Sequence, residues 1–554
     1  MYERFIQFRL GVFKLYLFVI ELVLASRLLF RERSNQVVET LDITEDVRTE
    51  RSGMPQFVLQ RDLVFTAEGV EKLFSPAGGF SLPATIPRNS SLDLRSYMNL
   101  VHIRRYRELC GIKNIALELD VSAPVRVRAD FISESGTSSV VRDYSGPIDL
   151  DISEGTLLGV CIESASEDAV LYGGRFVCNK QSTNDVSLAH VVCNYKRDEM
   201  TLAKISLFRR FFQEHPGMDV GYRMIVVDNS GTLPEPTDDF VTIIRSRNLG
   251  GSGGFTRGLM EAKEMGFTNV VLNDDDAMVE PESVLRILSL IKVLEPEHRD
   301  VCITGTIVSF ENPTQSYESG AILDEGIYLR SNCKGADLLD IGGMLRIDMD
   351  ADLNYGSWCL YEMPLSIVNR KQYPLPLFFK EDDVEYGIRS GERIIPMVGV
   401  CAWHHSYEVN YSPVNYYYYA RNHLAVACCS TCYDRHVILD RMFSDTAVEA
   451  SALRYECCEM MLEGVSDFLR GPDHVFNQCR DGVKKVPDRI AISDIETLRK
   501  EFRPHGTVLQ KGFLIRMMLL NGAFQSPTAD IESTPQDVDS AHFYRVGSVL
   551  YNRS

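Results

Sequence analysis

From Ala189 onward the chain alternates short apolar runs with amphipathic stretches, and this alternation constrains its fold more than any other feature. "AHVVCNY", "MIVVD" (Met224 to Asp228), "FVTIIR" and "NVVLN" read as buried strands. The first leads into a helical pattern with Leu202, Ile205, Phe208 and Phe212 among its apolar positions. The last two enclose a glycine-rich turn and a helix. Another helix is expected beyond them, with Pro281 at its first position and Val284, Ile287, Leu288, Ile291 and Leu294 marking one face. Parallel strands need long crossovers, usually helices, so this pattern implies a mainly parallel, Rossmann-like α/β sheet.

Two other regimes flank it. From about Phe57 to Cys178 short alternating runs such as "IALELDVSAPVRVRADF" and "LLGVCIES" are separated by Gly, Pro and Ser clusters, which reads as an all-β sandwich or jelly roll. From about Asn415, "YYYYARNHLAVACC" and "YECCEMMLEGVSDFLRG" indicate a helical region. The expected division is an amphipathic segment over 1–45, a β-sandwich over 46–185, the α/β domain over 186–412 and helices over 413–554. Within the first segment, "KLYLFVIELVLASRLLF" (Lys14 to Phe30) is interrupted by Glu21 and Arg27. A bilayer span wants about 20 residues nearly free of charge, and no small-residue cleavage site follows. An amphipathic helix lying on a membrane or on a partner domain is expected instead.

Composition removes some functions. A formal charge of −19 over 554 residues argues against a general nucleic-acid binder, which needs a basic face for phosphates. The 14 cysteines form neither a dense disulfide framework nor paired metal-ligand spacing. The one C-x-x-C, Cys429 to Cys432, has no second pair to complete a zinc site. Reduced thiols in a cytosolic protein are the plain expectation.

Ligands of open α/β sheets bind beyond the carboxyl ends of strands. Asp228 stands at one such end and "LNDDDAMVEP" puts Asp274, Asp275 and Asp276 at another. Residues at i and i+2 of an extended segment point to one side, so Asp274 and Asp276 could clamp a divalent cation; a solvated turn is the alternative. "RNLGGSGGFTRG" (Arg247 to Gly258) matches neither G-x-G-x-x-G nor G-x-x-x-x-G-K. Its glycines permit close backbone approach to a ligand ahead of a helix N-terminus, or simply a flexible turn. "FFKEDDVEYG" (Phe378 to Gly387) supplies a second acidic cluster, a candidate general base or an exposed acidic helix start. "CAWHHSYE" places His404 and His405 after an apolar run, where an imidazole serves as metal ligand or as a structural group.

In this order, the motifs resemble the nucleotide-sugar glycosyltransferases of the GT-A fold. The chain is similar over nearly its whole length to the galactan-building galactofuranosyltransferases of mycobacterial-type cell walls. The carrying stretches are "RNLGGSGGFTRGL", "LNDDDAMVEPESVLRIL", "PLPLFFKEDDVEYGIR", "AWHH", "YYARNHLAV" and "SDFLRGPDHVF". The resemblance implies a GT-A catalytic domain between the β-sandwich and the helices, inverting transfer of galactofuranose from UDP-galactofuranose to a glycan or glycolipid acceptor, and homo-oligomers. It implies that Asp274, Asp276 and His404 hold Mn2+ or Mg2+. Arg197, Asp228, Asn248, Gly250, Gly251 and Asp275 would line the donor side. Asp383 would be the catalytic base, with Asp382, Glu381 and Trp358 on the acceptor side. A lipid-linked acceptor and a cytosolic donor would put the protein at the inner face of the cell membrane. Two departures fall on the acceptor side: Glu381 stands where the family has a Trp, and "YGSWCLYEMP" keeps only Trp358 of two adjacent tryptophans.

Overall fold

The computed structural model describes residues 57–60 and 81–478, apart from 181, 183, 216–220, 237, 326, 349–350, 407–411, 430–434 and 453. The Lys14–Phe30 segment and the Cys429–Cys432 pair, as a pair, lie outside the described residues. No helix among the described residues is long and apolar enough to cross a membrane.

The organising element is a nine-stranded sheet. Its order is Val241–Arg245, Tyr222–Asp228, Leu188–Asn194, Asn269–Asp274, Tyr361–Pro364, Cys302–Ser309, Ile394–His404 and Met278–Val279, with Asn312–Glu318 also on Cys302–Ser309. Leu188–Asn194 and Ile394–His404 are buried at every position, as expected of strands covered on both faces. The sheet is mixed, which corrects the expectation of a mainly parallel one. Strands 188–194, 222–228, 241–245 and 269–274 pair in parallel, as do 302–309 and 394–404. Tyr361–Pro364 inserts antiparallel between 269–274 and 302–309. Two antiparallel steps restore the direction, so the strand ends at Asp228, Asp274 and His404 share one edge. The start of Tyr361–Pro364 comes to that same edge.

Helix Asp198–Glu214 buries Thr201, Lys204, Ile205, Phe208 and Phe212, a helical stripe. Leu202, expected on that face, points outward instead, 36% exposed; a charged lysine occupies the inner stripe, for reasons that emerge at the site. Helix Pro281–Val293 begins with its proline in the first turn and is buried nearly all round. It packs between the central sheet and the five-stranded member of two antiparallel sheets formed within Phe57–Cys178, the other having four strands. Leu117, Leu171 and Phe176 from the first of these sheets, and Val127, Val160 and Ile162 from the second, share one apolar core with this helix and the central sheet. Arg286 spans the junction, donating to the carbonyl of Gly399 at 2.9 Å and to that of Met98. Helices Pro413–Cys429, Arg435–Ser451, Tyr455–Leu469 and Pro472–Gln478 follow the sheet. The first and third cross closely at Gly464, where a Cβ would lie 2.4 Å from the Tyr417 carbonyl oxygen.

One buried acid sits in the sheet itself. Glu362 is fully buried; Asn269 Nδ2 donates to its Oε1 at 2.7 Å, and its Oε2 has no hydrogen-bond partner. Burial pushes it up to about 8. The folded state therefore holds this proton more tightly than the unfolded state. The associated stability is complete below the ordinary glutamate range and is lost as pH rises towards 8. Glu362→Gln is expected to raise Tm at alkaline pH and to leave it nearly unchanged near pH 5, read by calorimetry across pH. Parallel Tm–pH curves for the two proteins would contradict it.

Candidate active site

The carboxyl edge of the central sheet collects the predicted acids. Strand register sets Asn194 beside Asp228 and Cys193 beside Asp274. Three consecutive carboxylates there need compensation, and helix Asp198–Glu214 with its cap supplies it. Arg197 Nη1 lies 3.0 Å from Asp275 Oδ1 and Nη2 lies 2.8 Å from Asp276 Oδ2. Lys204, buried, donates to Asn273 Oδ1 at 2.5 Å and to the Asp274 carbonyl. Burial lowers the Lys204 ammonium to about 8, against the raising pull of the three acids. Asn273 is thereby fixed, and its Nδ2 donates to the Cys359 carbonyl at 2.5 Å.

The triplet is not uniform. Asp275 is 5% exposed and accepts from the Tyr195 backbone N–H at 2.9 Å. Asp274 is raised to about 6, first by burial and then by the Asp276 charge. Asp276 is half-buried, which opposes its charge, yet the hydrogen bond and charge of His404, with Arg197, hold it below the ordinary aspartate range. His404 Nε2 lies 3.3 Å from Asp276 Oδ1, and this contact lifts the imidazole above its usual value although burial opposes it.

Asp274, Cys359 and His404 each present a ligand atom, all within 4.8 Å of one another. Carboxylate, thiol and imidazole are all metal donors, so this set, with Asp276 beside His404, fits a divalent cation. The structure brings together the three predicted ligands and adds Cys359, which spacing could not reveal: it lies 85 residues from Asp274, whose Oδ2 accepts from its thiol at 3.5 Å.

The second acidic cluster borders the first. Asp382 and Asp383 open helix Asp382–Ser390. Asp382 is pushed up to about 7, mainly by burial, with Asp274 and Glu385 adding to it. Asp383 is raised well above the usual range by burial and then by Asp382 and Glu318. The preceding loop holds three non-glycine residues in left-handed conformation, Phe378 (φ 75°), Lys380 (φ 70°) and Glu381 (φ 61°). Helix Pro413–Cys429 clamps that loop. Asn422 Nδ2 donates to the carbonyls of Leu377, Phe379 and Lys380 at 3.1, 2.9 and 2.8 Å, and Arg421 donates to that of Leu377 at 2.6 Å. His423 Nδ1 pairs with Glu381 Oε1 at 2.8 Å. In the sequence "YYARNHLAV" carries no mark of a role for its polar residues, because that role needs a contact across some 40 positions.

Several predicted donor and acceptor residues serve the fold directly. Asp228 is fully buried, and its carboxylate accepts from Asn194 Nδ2 and from the backbone N–H groups of Ser230, Gly231 and Leu233. Asn248 Oδ1 accepts from Gly250 N at 2.9 Å. The close backbone approach expected of the glycine run is to the protein itself. A Cβ on Gly250 (φ +74°) would lie 1.9 Å from the Phe378 carbonyl oxygen, and one on Gly254 2.1 Å from Cys193 Sγ. A Cβ on Gly251 would lie 3.3 Å from Asp382 Oδ2. Trp358, expected as an open aromatic wall, is 4% exposed, and its ring packs edge-on against Phe255 and Tyr386. Glu381 is likewise enclosed and is paired with His423. His405 is half exposed, 2.7 Å from Glu311, away from the ligand set.

No family model matches the chain. Galactofuranosyltransferase GlfT2 of Mycobacterium tuberculosis is 26% identical over 258 residues, 43% of this chain and 40% of that protein. GlfT2 of Mycolicibacterium smegmatis is 25% identical over 288 residues, 49% of this chain and 43% of that protein. The matched regions thus span about two fifths of the curated relatives. Among solved structures, a mannosyltransferase from Pyrobaculum calidifontis in complex with GDP-Man and Mn2+ covers 62% of this chain and 88% of its own, at 12% identity and a TM-score of 0.31. Mannosyl-3-phosphoglycerate synthase from Rubrobacter xylanophilus covers 40% of this chain and 67% of its own, at 10% identity and a TM-score of 0.25. Overlaps this slight carry no argument. On the sequence relationship, the chain is similar to galactofuranosyltransferases over a little under half of its length.

Proposed function

We propose that the protein transfers galactofuranose, with inversion, from UDP-galactofuranose to a hydroxyl of a glycan or glycolipid acceptor, using a bound divalent cation. The observation that carries this reading is the meeting of two acidic clusters at one sheet edge, one with an imidazole among its ligands and one with buried, proton-holding carboxyls. In this reading 46–185 is an accessory β-sandwich, 186–412 the GT-A domain and 413–554 a helical region that braces it. A lipid-linked acceptor would place the work at the cytoplasmic membrane face.

Asp274, Asp276 and His404 would hold Mn2+ or Mg2+, which when bound supplies a Lewis acid to the departing diphosphate. Arg197, held by Asp275 and Asp276 with its side chain 45% exposed, offers a guanidinium to the same anion. Asp383 takes the acceptor proton as the hydroxyl oxygen bonds to the anomeric carbon and the bond to UDP breaks. The transition state has oxocarbenium character, as in inverting glycoside chemistry. Asp382, facing Gly251, orients the acceptor. The buried Trp358 acts through packing, beneath this edge.

The test is incubation with UDP-galactofuranose and short furanose acceptors, with and without chelator, followed by mass and linkage analysis. A chelator-sensitive product one hexose heavier is expected; failure to form any glycan product, with this donor or with rhamnose and pyranose donors, would overturn the reading. Asp276→Ala should weaken Mn2+-dependent donor binding by at least about tenfold, because it removes both a ligand and the group that fixes His404. Calorimetry of donor with and without Mn2+ checks this, and parental affinity would count against it.

A further inference from the structure

The ligand set at the sheet edge is softer than the acid triplet alone would make it. Resting on the cation site of the proposed function, we propose that Cys359 Sγ is itself a ligand to the cation, together with Asp274 and His404, and tunes the site towards thiophilic divalent ions over Mg2+. Three independent elements deliver these atoms: the end of strand Asn269–Asp274, the residues leading into strand Tyr361–Pro364 and the end of strand Ile394–His404. Their mutual separation of at most 4.8 Å suits one ion; thiolate and imidazole bonds to zinc are about 2.3 and 2.0–2.1 Å.

Cys359 is also placed rather than incidental. Its carbonyl is held by Asn273, the residue before Asp274. Asn273 is anchored in turn by Lys204 at 2.5 Å and by His190 Nε2 at 3.3 Å. Cys359 is 1% exposed, and its thiol donates to Asp274 Oδ2, an atom of one of the predicted ligands. A side chain held this way presents its sulfur to the position that the carboxylate and imidazole already share.

The chemistry follows from ligand type. Mg2+ demands oxygen ligands in octahedral arrangement and gains nothing from sulfur. Zn2+, Co2+ and Cd2+ bond strongly to thiolate, so one sulfur among harder donors raises their affinity selectively. On binding, the Cys359 S–H bond breaks, its proton leaves to solvent and the thiolate sulfur bonds to the ion; no oxidant or reductant takes part.

Co2+ is the probe, because a cobalt–thiolate bond gives a near-ultraviolet charge-transfer band that oxygen and nitrogen ligands do not. The full chain titrated with Co2+ should develop that band to one equivalent. Cys359→Ser should lose it while retaining circular dichroism and Tm, and its Cd2+ affinity should fall by at least about tenfold with Mg2+ affinity unchanged. Cys359→Ala should behave alike, which covers the case where serine fails to fold. A band that persists in both variants would assign the sulfur elsewhere and overturn the proposal, as would Co2+ binding to the parent without any such band. In either event chelator-sensitive sugar transfer would leave the transferase reading standing. Absence of transfer alongside an intact Cys359-dependent band would do the reverse.

Discussion

Replacing Asp383 by Asn is expected to lower kcat by about 10²- to 10⁴-fold while UDP-sugar affinity stays parental. The carboxyl sits at the second position of helix Asp382–Ser390, where the helix end favours a negative charge. Burial, Asp382 and Glu318 oppose that charge and outweigh it, so the group binds a proton far more readily than a solvated aspartate. A general base benefits from that, since a pKa nearer the working pH gives stronger proton affinity without full protonation. Asp382, itself near 7, shares the site, so the two titrate as a pair. The base acts only when deprotonated. Parental kcat/KM is therefore expected to fall as pH is lowered through the pair's apparent pKa, above the ordinary aspartate range, and Asp383→Asn should flatten that limb. Single-turnover rates and donor calorimetry across pH separate the two effects. A variant with parental rate would place the base elsewhere.

His423→Ala is expected to cost about 3–5 kcal/mol of stability and most of the activity together. Glu381 would remain 5% exposed with its imidazole partner gone, leaving a buried carboxylate uncompensated. The same loop stores strain at three left-handed residues, each costing on the order of 1–3 kcal/mol, and it persists because helix Pro413–Cys429 holds it. With the Glu381 end of that clamp released and only the Asn422 and Arg421 bonds left, the loop no longer aims Asp382 and Asp383 at the sheet edge. The paired change Glu381→Gln with His423→Gln should recover much of the lost stability, because neutral partners leave no isolated charge. Urea unfolding and transfer assays on all three proteins give the comparison. A His423→Ala protein with parental unfolding midpoint and kcat would show that the pair is idle.

Local pattern disclosed much of this molecule. Apolar runs at Leu188–Asn194, Tyr222–Asp228 and Asn269–Asp274 are strands because residues buried on both faces leave a continuous hydrophobic signature. The acids at their ends are visible for the same reason, since a carboxylate interrupts an otherwise apolar run. Strand direction was not visible at Tyr361–Pro364: its four buried residues carry no mark of which neighbours they join. The glycine run was seen, but its partner was not. Gly250 and Gly254 are required by Phe378 and Cys193, which lie over 120 and about 60 positions away.

The sequence by itself determined which segments can be buried strands, where acids and an imidazole accumulate, and which family the chain resembles, because these are matters of composition at neighbouring positions. Tertiary structure alone decided what faces what. It put Arg197 and Lys204 among three carboxylates, gave Asp228 to its own loop, enclosed Trp358 in the core, and carried the Cys359 thiol to Asp274 and His404. Those outcomes depend on contacts between distant positions, where a single side chain's chemistry is set by whichever neighbour the packing supplies.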